Sequence, residues 1–292
     1  MPLLIFISGY LYQSLYKEKK KYNNYLELIQ KKLKRLIIPA FLFGFIFFIT
    51  LTPYQSKPLQ TITNGYIHLW YLPALFWCFV FAPLLLKVKN KIYSSLILFL
   101  SFLLIYIPFP EILGLNHFHV YFFWFILGGE IANHKKTFMN FCLNKKLILL
   151  FFVIATICLI LLILFDNNGY TEQPLITSTL FNFKILAIIR NLYRFSSLIS
   201  FFLLTEYLVQ IGKISIGNKF FFLAKTSFGV YIFHMWIMWS IFKNNYLSSF
   251  LVPFAKEHYF LFPILYFMFS FILATIITVY LQKTKIGKFL LG

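Results

Sequence analysis

Apolar runs long enough to cross a bilayer, about 20 residues each, recur from one end of this 292-residue chain to the other. They fall near 2–16, 36–52, 69–86, 92–109, 118–133, 147–165, 183–208, 220–242 and 259–281. Backbone N–H and C=O groups cannot stay unpaired in hydrocarbon, so runs of this length predict helices. The fold class that follows is all-α, a polytopic membrane helix bundle of about nine spans. The runs at 2–16 and 118–133 are short and lean on their neighbours. Only 12% of the residues are charged, against about 25% in soluble domains. No polar stretch is long enough for a separate soluble domain, so residues 1–292 read as a single membrane-embedded domain. Cys78, Cys142 and Cys158 are scattered, match no metal-ligand spacing, and read as packing residues; no metal is expected.

The formal net charge of +19 acquires meaning only from its placement. The basic residues sit in short loops between apolar runs, which is the positive-inside pattern and not a nucleic-acid surface. Residues 17–35 carry eight, whereas 53–68 carry only Lys57. Lys87, Lys89 and Lys91 fill the next loop, and 110–119 has none. Lys135, Lys136, Lys145 and Lys146 follow, then none in 166–182. Lys213 and Lys219, then Lys243 and Lys256, and finally Lys283, Lys285 and Lys288 complete the series. The rich loops are assigned to the cytoplasm of a bacterial inner membrane, which puts the C-terminus inside. Met1 then falls on the external face, and one further helix before it would bring both ends to the cytoplasm.

Five stretches carry a resemblance: MPLLIFISGYLY at 1–12, KKLKRLIIPAF at 31–41, HLWYLPALFW at 68–77, SFGVYIFH at 227–234 and GKFLLG at 287–292. In their order and spacing the chain resembles the acyltransferase-3 family of bacterial integral membrane acyltransferases. Many members O-acetylate sugars of surface polysaccharides. The resemblance implies ten helices and transfer of an acetyl or related short acyl group from cytoplasmic acyl-CoA. The lipid bilayer, the acyl-CoA and a surface glycan acceptor are the partners it implies. In the family the MPLxxFISG stretch lies in the second helix, after one that carries a basic residue and a His assigned to catalysis. The resemblance therefore implies either a start upstream of Met1 or a truncated, inactive copy. A transporter or export component for a glycan or solute is the competing class, since transporters also place charge at the midplane.

Acetyl transfer from a thioester to a hydroxyl needs a base near neutral pKa, donors for an oxyanion, and cations for the phosphates of acetyl-CoA. Lys31, Lys32, Lys34 and Arg35 stand immediately before the run at 36–52, and fit either those phosphates or lipid headgroups. Lys32 and Arg35 fall where the family shows paired arginines. His68 opens a span beside Trp70, as an interfacial His or as the base. His234 lies past the midplane of 220–242 and shares a helical face with Ser227 and Tyr231. An ionisable group at that depth is either functional or an interhelical hydrogen bond. Arg190 and Arg194 share a face within 183–208. Each costs about 2.5–3.5 kcal/mol near the centre, so they either snorkel or line a polar cavity that holds an anionic group. His117 and His119 form an HxH that reads as a solvated external loop.

Overall fold

The computed structural model describes residues 1–19, 24–51, 65, 66, 68–86, 91–107, 109, 110, 112–135, 137, 138, 144–166, 179–212, 218–258 and 261–291. Every regular element among the described residues is helical. The order is α1 (Pro2–Lys19), α2 (Tyr25–Leu51), α3 (Tyr71–Leu86) and α4 (Lys91–Leu103, prolonged by a 3₁₀ turn at Leu104–Tyr106). There follow α5 (Leu115–Asn133), α6 (Lys145–Asp166), α7 (Thr179–Gln210) and α8 (Asn218–Lys243). α9 (Asn245–Glu257), α10 (Leu261–Leu281) and α11 (Lys285–Leu291) end the chain. Each apolar run of the sequence lies on one of these helices. α2, Lys145–Leu164 of α6, Ile188–Gln210 of α7 and α10 are long and apolar enough to cross a membrane. Large apolar side chains stay exposed along them, among them Phe45, Ile49, Ile160, Ile264 and Ile276. Such surfaces belong against lipid, since water would drive them together.

Two helices depart from the sequence expectation. Residues 245–257, which lie between the apolar runs at 220–242 and 259–281, form α9, because the Asn244 side chain accepts hydrogen bonds from the backbone N–H groups of Tyr246 and Leu247. Lys31, Lys32, Lys34 and Arg35 do not precede a helix; they lie inside α2. Asn24 caps that helix at its true start by accepting from Leu26 and Glu27, and Glu27 then pairs with Lys31 one turn on. Hydropathy alone misses this polar opening stretch.

α2 also carries a π-turn at Leu33–Ile37, in which the Ile38 N–H reaches back to the Leu33 carbonyl. Pro39 supplies the reason. It has no N–H to offer the Arg35 carbonyl, and its ring pushes that carbonyl away. The chain absorbs the mismatch by widening the turn before it.

The chain divides into two compact units, one of Met1, residues 5–130 and 216–292, the other of residues 2–4 and 131–215. In the first, α1 and α5 cross at van der Waals contact of their backbones. A Cβ on Gly9 would lie 2.0 Å from the Phe125 carbonyl oxygen, and one on Gly128 would lie 2.1 Å from that of Phe6. Small residues permit this approach, which is how membrane helices gain packing energy without a hydrophobic drive between them. In the second unit α6 and α7 pack along their lengths.

Candidate functional site

His68 is held by a turn and not by a helix. Gly65 starts that turn at φ +91°, a left-handed conformation glycine adopts without strain. The turn continues through hydrogen bonds from Leu69 N–H to Tyr66 O and from Leu72 N–H to Leu69 O, and feeds into α3. The Gly-Tyr-x-His stretch thus delivers His68 to the interior, where it is 7% exposed.

α8 receives it with two ties that run in opposite directions. The His68 Nε2 lies 3.0 Å from the Ile232 carbonyl oxygen. A carbonyl only accepts, so Nε2 carries the proton and donates. In return the Tyr231 hydroxyl donates to the backbone carbonyl of His68. The tautomer follows from the first tie: Nδ1 of His68 holds the lone pair. That atom is buried and has no hydrogen-bond partner among the described residues. Buried polar atoms are nearly always paired, and an exception calls for a ligand or a chemical role.

His234 is the second imidazole of the cluster, its ring centroid 5.4 Å from that of His68. Its Nδ1 donates to the Val230 carbonyl one turn back, at 2.9 Å, which leaves the lone pair on Nε2. Aromatic side chains enclose the pair. Phe47 of α2 stacks with both His68 and Trp236. Trp236 donates to the Thr50 hydroxyl at 3.0 Å, and Lys243 donates to the carbonyls of Thr50 and Leu51 at the end of α2. Tyr71 packs on Tyr231 and is hydrogen-bonded with Ser8 of α1. The FISG, HLWYLP and SFGVYIFH stretches thus converge through Ser8, Tyr71, Tyr231 and the two histidines.

The other candidates are placed as follows. Ser227, expected on the face of Tyr231 and His234, is exposed, and its hydroxyl donates to Ala224 O. Seven residues return to within about 20° of the same face, so Ser227 keeps that side of α8 but lies ~10 Å along the helix from His234. His117 and His119 are not in a loop: they occupy the first turns of α5. His117 stacks on Trp70 at 4.3 Å and His119 on Phe109 at 5.1 Å, and this aromatic packing winds the helix back to Leu115. No group of three His, Cys, Asp or Glu residues suited to a metal occurs among the described residues.

Among the cations, Lys31 is engaged by Glu27 and Lys32 lies 3.6 Å over the Phe79 ring. Lys34 and Arg35, in the π-turn, are exposed. Arg190 and Arg194 lie half-buried on α7 in the second unit, where Arg194 donates to the Asn191 side chain at 3.4 Å. α7 has 32 residues, so at ~1.5 Å per residue it is ~48 Å long and extends beyond a hydrocarbon core of ~30 Å. Sequence reasoning missed Phe47, Thr50 and Trp236. Trp236 was visible two residues after His234, but nothing in the sequence ties it to a helix ending at Leu51.

A family model described as an acyltransferase domain matches residues 1–283, across both compact units. No curated protein and no solved structure matches the chain. With its helices long and apolar enough to span a bilayer and a family match over nearly its whole length, this multi-pass membrane protein belongs to the acyltransferase-3 family and is an acyltransferase.

Proposed function

We propose that this acyltransferase moves an acetyl, or related short acyl, group from cytoplasmic acetyl-CoA to a sugar hydroxyl of a surface glycan, with His68 as the general base. The observation that carries the reading is the buried, unpartnered Nδ1 of an imidazole whose other nitrogen is fixed by a backbone carbonyl.

The chemistry balances on this chain's own groups. The sugar hydroxyl attacks the thioester carbonyl carbon while its proton passes to Nδ1 of His68. The new C–O bond leaves a tetrahedral oxyanion, which collapses with cleavage of the C–S bond. The proton on His68 then goes to the departing thiolate. The imidazolium formed in between is stabilised by the Ile232 carbonyl, to which Nε2 already donates. His234, whose Nε2 is left as an acceptor, is proposed to orient the sugar by accepting from one of its hydroxyls.

Lys34 and Arg35 are proposed to hold the phosphates of the donor, as their exposure and their guanidinium and ammonium chemistry suit. Lys31 can join them, since an exposed pair such as Glu27–Lys31 is worth at most about 1 kcal/mol and opens readily. Arg190 and Arg194 are proposed, independently of the histidines, to hold an anionic group such as an oxyanion, a lipid-linked pyrophosphate or an acidic sugar. The positive-inside pattern supports a cytoplasmic position for Lys34 and Arg35 at an inner membrane, within reach of acetyl-CoA, with the C-terminus on the same side.

The test is transfer of labelled acetyl from acetyl-CoA to the host glycan in membranes bearing the chain. His68→Gln abolishes transfer in this reading, and Lys34→Gln with Arg35→Gln raises the acetyl-CoA concentration required. Full activity of His68→Gln at normal membrane levels overturns the assignment.

A further inference from the structure

A groove of about 700 Å³ runs between α6 and α7, lined entirely by residues of the second unit. Its walls are apolar for most of their length, and Lys145 is the one charged residue lining it among the described residues. The Thr156, Ser197 and Ser200 hydroxyls on its walls make no demand on an occupant. Thr156 donates to Phe152 O, Ser197 to Arg194 O and Ser200 to Ser197 O, each within its own helix. Glu206, beside Tyr207 in sequence, is not among the lining residues.

We propose that this groove is a binding site for an anionic phospholipid, one acyl chain lying between α6 and α7 and the headgroup phosphate on Lys145. Three observations support that occupant over any other. The first is charge: a single cation marks one end of an otherwise apolar channel, the polarity of a phospholipid laid along its own length. Lys145 is exposed, and its ammonium rests 5.8 Å from the Tyr207 ring, which leaves it turned toward the groove mouth. The second is length. From Lys145 to Leu159 the lining of α6 covers 14 residues, ~21 Å at 1.5 Å each. That exceeds the ~15 Å half-thickness of the hydrocarbon, so a chain from one leaflet is accommodated whole. The third is position. Lys145 opens a helix at the membrane edge, in the loop whose basic residues mark the cytoplasmic side.

Nanodiscs of mixed phosphatidylglycerol and phosphatidylcholine containing the full chain, followed by gentle extraction and native mass spectrometry, test this. The wild type retains phosphatidylglycerol several-fold over phosphatidylcholine. Lys145→Gln, an exposed change that leaves the packing alone, brings the ratio to that of the bulk mixture. Lys146→Gln, one residue away but outside the groove, keeps the wild-type ratio. Thr156→Trp, which fills an exposed position of the wall, releases both lipids. No preference in the wild type overturns the proposal. So do equal losses from Lys145→Gln and Lys146→Gln, which would mark a diffuse surface charge. Retention unchanged in Thr156→Trp places the lipid elsewhere. A dimer that Thr156→Trp splits, without change in lipid, gives the groove to a second copy.

Discussion

The two compact units solve the problem of a membrane interior in opposite ways. In the first, backbone meets backbone at Gly9 and Gly128, the turn before α3 is tied to α8 in both directions, and aromatic rings close around two imidazoles. In the second, two long helices leave a groove between them, and most of their surface faces outward. Only 11% of the span of α6 is buried within the protein, against 39% of that of α2. The first unit fixes positions; the second leaves the bilayer to complete its packing. A base must be held to a fraction of an ångström for proton transfer to work, and the unit with the tighter packing is the one that carries the histidines proposed for that role.

That contrast can be sharpened by substitution, beginning with the chemistry. His68→Gln keeps a polar side chain in the cavity but removes the basic lone pair, and transfer falls by roughly 10²–10⁴-fold with membrane insertion intact; the acetyl-transfer assay reads it directly. Gly128→Ala then tests the rigidity. Its new methyl meets the Phe6 carbonyl, and the resulting overpacking costs about 1–3 kcal/mol, measured as a lower melting temperature in detergent. Tyr231→Phe removes only the hydrogen bond to the His68 carbonyl, worth about 0.5–1.5 kcal/mol. It lowers the transfer rate more than the affinity for acetyl-CoA, because the base is displaced and the donor site is not. Ile157→Ala, on the exposed surface of α6 and outside the groove, changes stability by no more than about 0.5 kcal/mol. A large loss there would erase the distinction between the units.

The helices were legible because hydropathy over a span is a local property. Each apolar run became a helix, whereas α9 escaped because its 13 residues fall short of a crossing and its cap, Asn244, is a single residue of signal. The start of α2 escaped for a similar reason: a charged opening stretch looks like a loop until Asn24 is recognised as its cap. His68 and His234 stood out as ionisable groups in apolar surroundings. Their meeting was not legible, since 166 positions separate them and the approach depends on how α8 packs beside the turn. The unpartnered Nδ1 belongs to the same class of fact, a property of tertiary packing that no spacing encodes.

The widened turn in α2 has a consequence for how the cationic end and the aromatic end of that helix are aimed. An extra residue in one turn advances everything on one side of it by about 100° relative to the other. Lys34 and Arg35 therefore look in a direction set by Pro39, while Phe43 and Phe47 beyond it keep theirs toward the interior. α2 behaves as a shaft with a keyed joint: the proline is the key, and the two ends are clocked against each other without any contact between them. Restoring a regular turn at Pro39 would re-aim the cations while leaving the aromatic wall behind His68 where it stands.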